Sequence, residues 1–128
     1  MTSSPGVAAE DLVVRRLAAE GWLILGVRTR VGREEIDVVG IDPGPPATLV
    51  LVEVRWRRRR DFGLAEESLD HRKRLALRRG IAALLDAGEM PDGTALPRLA
   101  FRVDLVVVEP PGRAGEGPRV RHHRGIAL

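Results

Sequence analysis

Residues 34–56, EEIDVVGIDPGPPATLVLVEVRW, decide the fold. The runs EEIDVVGI (34–41) and TLVLVEVRW (48–56) read as strands, and DPGPPA (42–47) between them has the Asp, Gly and Pro of a hairpin loop. Side chains alternate across a strand, so Glu35, Asp37 and Val39 share one face of the first run, and Leu49, Leu51, Glu53 and Arg55 one face of the second. If the loop sets their pairing, Asp37 and Glu53 converge near one end of the sheet. A carboxylate in a buried strand is costly unless something pairs with it. Two that lie a few ångströms apart repel each other unless a cation sits between them. Magnesium, or manganese in its place, suits such a pair because it takes oxygen ligands from one or two carboxylates, waters and substrate phosphates. Arg55, two residues after Glu53, projects from the same side, where it contacts a phosphate or orients a water. The alternative is a buried ion pair, Glu53 with Arg55 or Asp37 with another arginine, that holds the strand register and does no chemistry.

Outward from the hairpin, the pattern is α/β. VAAEDLVVRRLAAEG (7–21) predicts a first helix with Val13, Val14 and Leu17 on one face and Gly21 at its end. Glu10 falls on that same stripe, in the first turn, where it either faces the sheet or interacts with the helix dipole. WLILGVR (22–28) predicts a short strand. A second helix is expected from about Ser68 to Ala87, with Leu77, Gly80, Ile81 and Leu84 buried and Gly88 closing it. Lys73 lies in line with Leu77, Gly80 and Leu84, so it either points toward the carboxylates or snorkels from the edge of an apolar face. After the breaker-rich EMPDGTALP comes LAFRVDLVVVE (99–109), an almost wholly apolar strand, and VRHHRGIAL (120–128) is a tail with room for a final strand. The order αβββαβ predicts a mixed central sheet flanked by helices. The chain reads as one domain over residues 1–128, with 1–6 and 110–119 flexible.

The bounds on function are set by what the sequence lacks and by its charge. At 128 residues and 14.0 kDa there is room for one core. With no cysteine, disulfides, thiolate zinc sites and cysteine nucleophiles are excluded. MTSSPGVAAEDL has neither the basic nor the apolar region of a secretory signal, and no apolar run reaches membrane-spanning length, so a cytoplasmic protein without membrane association is expected. Net charge is only +3, yet every basic residue except Lys73 among the 21 is arginine, whose planar fork suits phosphate oxygens. Arginines concentrate in RWRRRR and HRKRLALRR, which points to an anionic partner and first of all to nucleic acid, through Arg57, Arg58, Arg59, Arg60, Arg72 and Arg74. Few aromatics and no tyrosine argue against a base-stacking platform for single strands, so duplex or branched DNA is the expected target.

From about Ala9 to Glu109 the sequence resembles the YraN-like proteins, a bacterial group of unestablished function related to the PD-(D/E)XK nucleases and to archaeal Holliday junction resolvases. The resemblance runs through AEDL, REEIDVVG at a Gly-Glu-Ile-Asp pattern, VEVRW at Val-Glu-Val-Lys, DFG, the lysine of HRKRL, FRVDLVVV and the closing HHRGI. It implies a restriction-endonuclease-like sheet and a divalent metal site. Glu10 then matches the first-helix acid, Asp37 the motif aspartate, Glu53 the motif glutamate, Arg55 the motif lysine position and Lys73 the downstream helix lysine. Glu35 matches the acid two residues before the aspartate, and Asp104 the aspartate of the last strand. The resemblance assigns Asp37, Glu53 and Glu10 to the metal and, through the junction enzymes, suggests a homodimer. Two positions depart from the pattern: Glu34 stands at the glycine and Arg55 at the lysine. Arginine stays charged, so it positions or stabilises but does not take up a proton.

Three functions follow as expectations. One is a Mg²⁺- or Mn²⁺-dependent endonuclease that hydrolyses phosphodiester bonds in structured DNA. The second is a catalytically inactive nucleic-acid-binding module of the same fold, and the third an arginine-rich protein-interaction domain.

Overall fold

The hairpin forms, and the sheet grows from it. A computed structural model describes residues 4–57 and 69–128. Along the chain run α1 (Pro5–Ala19), β1 (Leu23–Val31), β2 (Glu34–Asp42), β3 (Thr48–Trp56), α2 (His71–Ala87), β4 (Phe101–Glu109) and β5 (Arg119–His123). Strands β2 and β3 pair antiparallel from Val38↔Val52 to Asp42↔Thr48. The five strands lie in the order β1-β2-β3-β4-β5, with β3 and β4 parallel and every other neighbour antiparallel. A parallel pair needs a crossover, and α2 lies in the one between β3 and β4.

The sheet separates two apolar layers. One packs Ala9, Val13 and Leu17 of α1 on Val38, Val50, Val52, Val106 and Val108. The other packs Leu77, Ile81 and Leu84 of α2 on Ile36, Val39, Leu49, Leu51, Leu105 and Val107. Strands β3 and β4 are therefore buried on both faces, which is why they read as nearly unbroken apolar runs. Helix α2 lies close to the sheet because Gly80 is bare: a Cβ there would meet the Glu34 Cβ at 3.1 Å.

Several element ends differ from expectation. Pro5 and Gly6, expected to be flexible, belong to α1, because the Ser4 hydroxyl accepts the Val7 N–H at 3.2 Å and proline suits a first helical turn. Helix α2 starts at His71, where Asp70 accepts the Lys73 N–H at 2.8 Å; Ser68 lies outside the described residues. Its end is as expected, with Gly88 in the left-handed conformation at φ 69°. Strand β1 extends to Val31, opposite Glu34. At the other end Arg119, expected in a flexible loop, opens β5 opposite Glu109.

The expected face-sharing along β2 also fails in one place. Ile36 and Val39 both pack on the α2 side, whereas Val38 packs on the α1 side. Regular alternation is thus interrupted around Asp37.

Candidate metal centre

Asp37 stands where β2 and β3 part. Pairing between them ends at Val38↔Val52, and the Asp37 Oδ2 accepts the Val54 N–H at 2.8 Å in place of a backbone carbonyl. A side chain thus satisfies the first ladder donor that the departing strand leaves behind. At this opening, groups from both faces of the sheet approach one another.

From the α1 side comes Glu10. Helix α1 begins at Pro5, so Glu10 lies past the first turn, which holds no acid, and the dipole explanation for it weakens. Carboxylate oxygens of Glu10, Glu35 and Asp37 all lie within 4.8 Å of one another. The Glu10 side chain is only 12 % exposed, and its Oε1 is buried without a hydrogen-bond donor among the described residues. Burial raises its pKa above the ordinary value; the charges of Asp37 and Glu35 add to this, and Arg28 opposes it.

From the α2 side comes Glu53, whose side chain is 3 % exposed. Its Oε1 lies 3.4 Å from Lys73 Nζ and 3.6 Å from Arg55 Nε. The other oxygen, Oε2, is buried and has no donor among the described residues. Burial first and the Asp37 charge second push the Glu53 pKa up to about 8, against the opposing pull of Lys73 and Arg55. The buried-pair alternative is therefore half present: Glu53 has cationic neighbours, but they engage one of its oxygens and leave the acid crowding unrelieved. An all-oxygen donor set with orphaned buried oxygens fits a hard divalent cation such as Mg²⁺ or Mn²⁺, and lacks the nitrogen and sulfur ligands typical of zinc.

The structure thus brings Glu10 to Asp37 and Glu53 to Arg55 and Lys73, all singled out in the sequence, with Asp37 between the two groups, and it adds Glu35 to the acids in mutual reach of Glu10 and Asp37. The signal for Glu35 was its spacing of two from Asp37. Asp104 is elsewhere: fully buried, it accepts from Arg102 Nε at 2.9 Å and the Gly125 N–H at 3.0 Å, with His122 Nε2 at 2.8 Å. Among the basic residues, Arg72 is exposed on α2, and the Arg57 N–H continues the sheet by donating to Val108 at 2.9 Å. Arg74 donates to the carbonyls of Leu69 at 3.0 Å and Ala127 at 2.6 Å, fastening the last residues to α2. Arg58, Arg59 and Arg60 lie outside the described residues.

Comparison with known proteins follows the same residues. The chain is 37% identical over 107 residues to a UPF0102 protein of Roseiflexus castenholzii, covering 84% of this chain and 80% of that one. A UPF0102 protein of Pseudomonas entomophila is 35% identical over 114 residues, 89% of this chain and 86% of its own length. One from Sorangium cellulosum is 47% identical over 74 residues, 58% of this chain and 49% of its own. Residues 9–108, which run from the helix carrying Glu10 through nearly all of β4, match the uncharacterised protein family UPF0102, and the chain belongs to that family, the YraN-like group its motifs resemble.

Proposed function

We propose that this protein is a metal-dependent phosphodiesterase acting on nucleic acid, with duplex or branched DNA as its substrate. The observation that carries the proposal is the meeting of Glu10, Glu35 and Asp37 within 4.8 Å of one another, with Asp37 also crowding Glu53, one of whose buried oxygens is left without a donor among the described residues. A fold has no structural need for such crowding, and functional sites are where it is retained.

In this reading Glu10, Glu35 and Asp37 hold a Mg²⁺ or Mn²⁺ ion, with the Glu53 carboxylate beside them. When bound, the ion supplies Lewis-acid polarisation of the phosphate and lowers the pKa of a water nucleophile. The protein's own groups do the rest. Asp37 is held by the Val54 N–H, which fixes its carboxylate at the cluster. Lys73 and Arg55 stand on the α2 side of Glu53, where they stabilise negative charge that develops on the phosphoryl oxygens. Arg55 keeps its charge throughout, so it contributes stabilisation and not proton transfer. The arginines that follow β3 and those of α2 supply contacts to the backbone of the nucleic acid.

A second reading, a binding module without turnover, is favoured by arginine at position 55, where the nuclease signature has lysine. A panel of duplex, single-strand, flap and four-way-junction DNA, each with Mg²⁺, Mn²⁺ or EDTA, separates the two. Cleavage that EDTA abolishes supports the enzyme; tight, salt-sensitive binding without product supports the module.

A further inference from the structure

Arg28 is the only residue other than glycine with a positive φ among the described residues, at 49°. That left-handed conformation is uncommon for side chains of this kind and costs on the order of 1 kcal/mol or more. It follows closely on an irregularity in β1, where the register with β2 shifts between Ile24 and Gly26. Between the pairs Val27↔Val38 and Thr29↔Ile36, Arg28 stands across the ladder from Asp37. The strained residue of β1 therefore faces the residue at which β2 and β3 part.

The strain delivers a guanidinium to the rim of the acid cluster. Arg28 Nη1 lies 3.6 Å from Glu10 Oε1 and 3.6 Å from Asp11 Oδ1, and its side chain is 40 % exposed. A guanidinium that served only to tie α1 to β1 would be expected in a short, bidentate contact with one carboxylate. Here it spans two acids at long range and leaves the buried Glu10 Oε1 without a hydrogen bond. Its position balances the charge of the acids while part of the fork stays open to solvent.

We propose that Arg28 is a substrate-binding residue of this site: with a divalent cation in the cluster, its guanidinium leaves Glu10 and takes a phosphate oxygen of the nucleic-acid backbone. The proposal rests on the cation-site reading above. Arg28 then meets the phosphate from the α1 side, opposite Lys73 and Arg55 on the α2 side. It also opposes cation entry when substrate is absent, since like charges repel across a few ångströms.

The test uses the full chain and the variants Arg28→Ala, Arg28→Gln, Arg28→Lys and Arg28→Gly. Thermal melts across a Mn²⁺ titration give the midpoint for the ion, and fluorescent duplex DNA in Ca²⁺ at increasing salt gives affinity and its salt slope. In Arg28→Ala the Mn²⁺ midpoint should fall about 3- to 10-fold, because a cation has left the rim. DNA affinity should drop about 10-fold, and the log–log salt slope should shrink by about one. Arg28→Lys should keep the slope, and Arg28→Gly should match Ala in both readouts while melting higher without ions, because glycine accepts the backbone conformation. If Arg28→Ala does not fold, Arg28→Gln carries the same expectations. Variants that change melting temperature alone, with wild-type midpoint and slope, would make Arg28 a tether between α1 and β1 and overturn the proposal. A wild type that ignores Mn²⁺ would instead sink the cation site itself, and the role of Arg28 with it.

Discussion

Asp37→Asn keeps the shape that accepts the Val54 N–H and removes one charge from among Glu10, Glu35 and Glu53. In EDTA the variant should be more stable than wild type by about 1 kcal/mol, within the range that relief of a functional site commonly gives. Saturating Mn²⁺ should then raise the wild-type melt and leave the variant almost unmoved. A destabilised variant, with a wild type indifferent to the ion, would make Asp37 structural. Glu53 makes a prediction about pH. Its folded-state pKa of about 8 lies above the ordinary 4.5, so the folded protein binds a proton that the unfolded chain releases. The stability it contributes is complete below 4.5 and is lost as pH rises through about 8. Melts in EDTA should therefore decline across that interval, and Glu53→Gln should flatten the decline. At this scale the acids were legible, since a carboxylate inside an apolar strand is conspicuous in one dimension. Arg28 was not, because nothing in VRTRV marks which arginine takes a left-handed backbone or faces Asp37.

Among the elements, β5 and the residues after it depend on one buried acid. Burial alone would raise the Asp104 pKa, but hydrogen bonds from His122, Arg102 and the Gly125 N–H outweigh it and hold the carboxyl below its ordinary 3.8. This contribution to stability is present above pH 3.8 and is lost as pH falls through the lower folded-state value. Asp104→Ala removes the acceptor of Arg102 Nε, His122 and the Gly125 N–H, leaving Arg102 only its ion pair with Asp42 at 2.7 Å, and should cost about 2 to 3 kcal/mol. Amide exchange should quicken first at Gly125 and Ile126, whose N–H groups donate to Asp104 and to the Val103 carbonyl. Helix cores and the apolar strands were readable from periodicity, and the stripe Leu77, Gly80, Ile81, Leu84 is buried as expected. The ends were less so. Caps at Ser4 and Asp70 are set by single side-chain hydrogen bonds, and in β5 only Val120 is apolar, so pairing with β4 rather than sequence pattern defines it.

For the molecule as a whole, the mixed sheet with a helix on each face was legible because the αβββαβ order leaves few other ways to bury β3 and β4 on both sides. What the order did not contain is the parting of β2 from β3 beyond Val38↔Val52, a property of the assembled sheet. No helix among the described residues is long and apolar enough to cross a membrane. If the arginines after β3 track a nucleic-acid backbone, combined replacement of Arg57, Arg58 and Arg59 by alanine should lower the salt slope of DNA binding by up to about three and affect all sequences alike. The Mn²⁺ midpoint should stay put, which separates loss of backbone contacts from damage to the acids. An unchanged slope would count against that path for the DNA.

The carboxylates are contributed from opposite sides of a wall. Glu10 belongs to the layer under α1, Glu53 reaches Lys73 in the layer under α2, and Asp37 lies at the gap between them. A divalent ion seated on Glu10, Glu35 and Asp37 would act as a rivet between α1 and β2, beside the Glu53 that faces the other layer. Its grip would exist only after α1 had docked on β2, so occupancy would report that side of the core as assembled. A chain folding where such ions are scarce would remain the looser protein, open at the seam between β2 and β3.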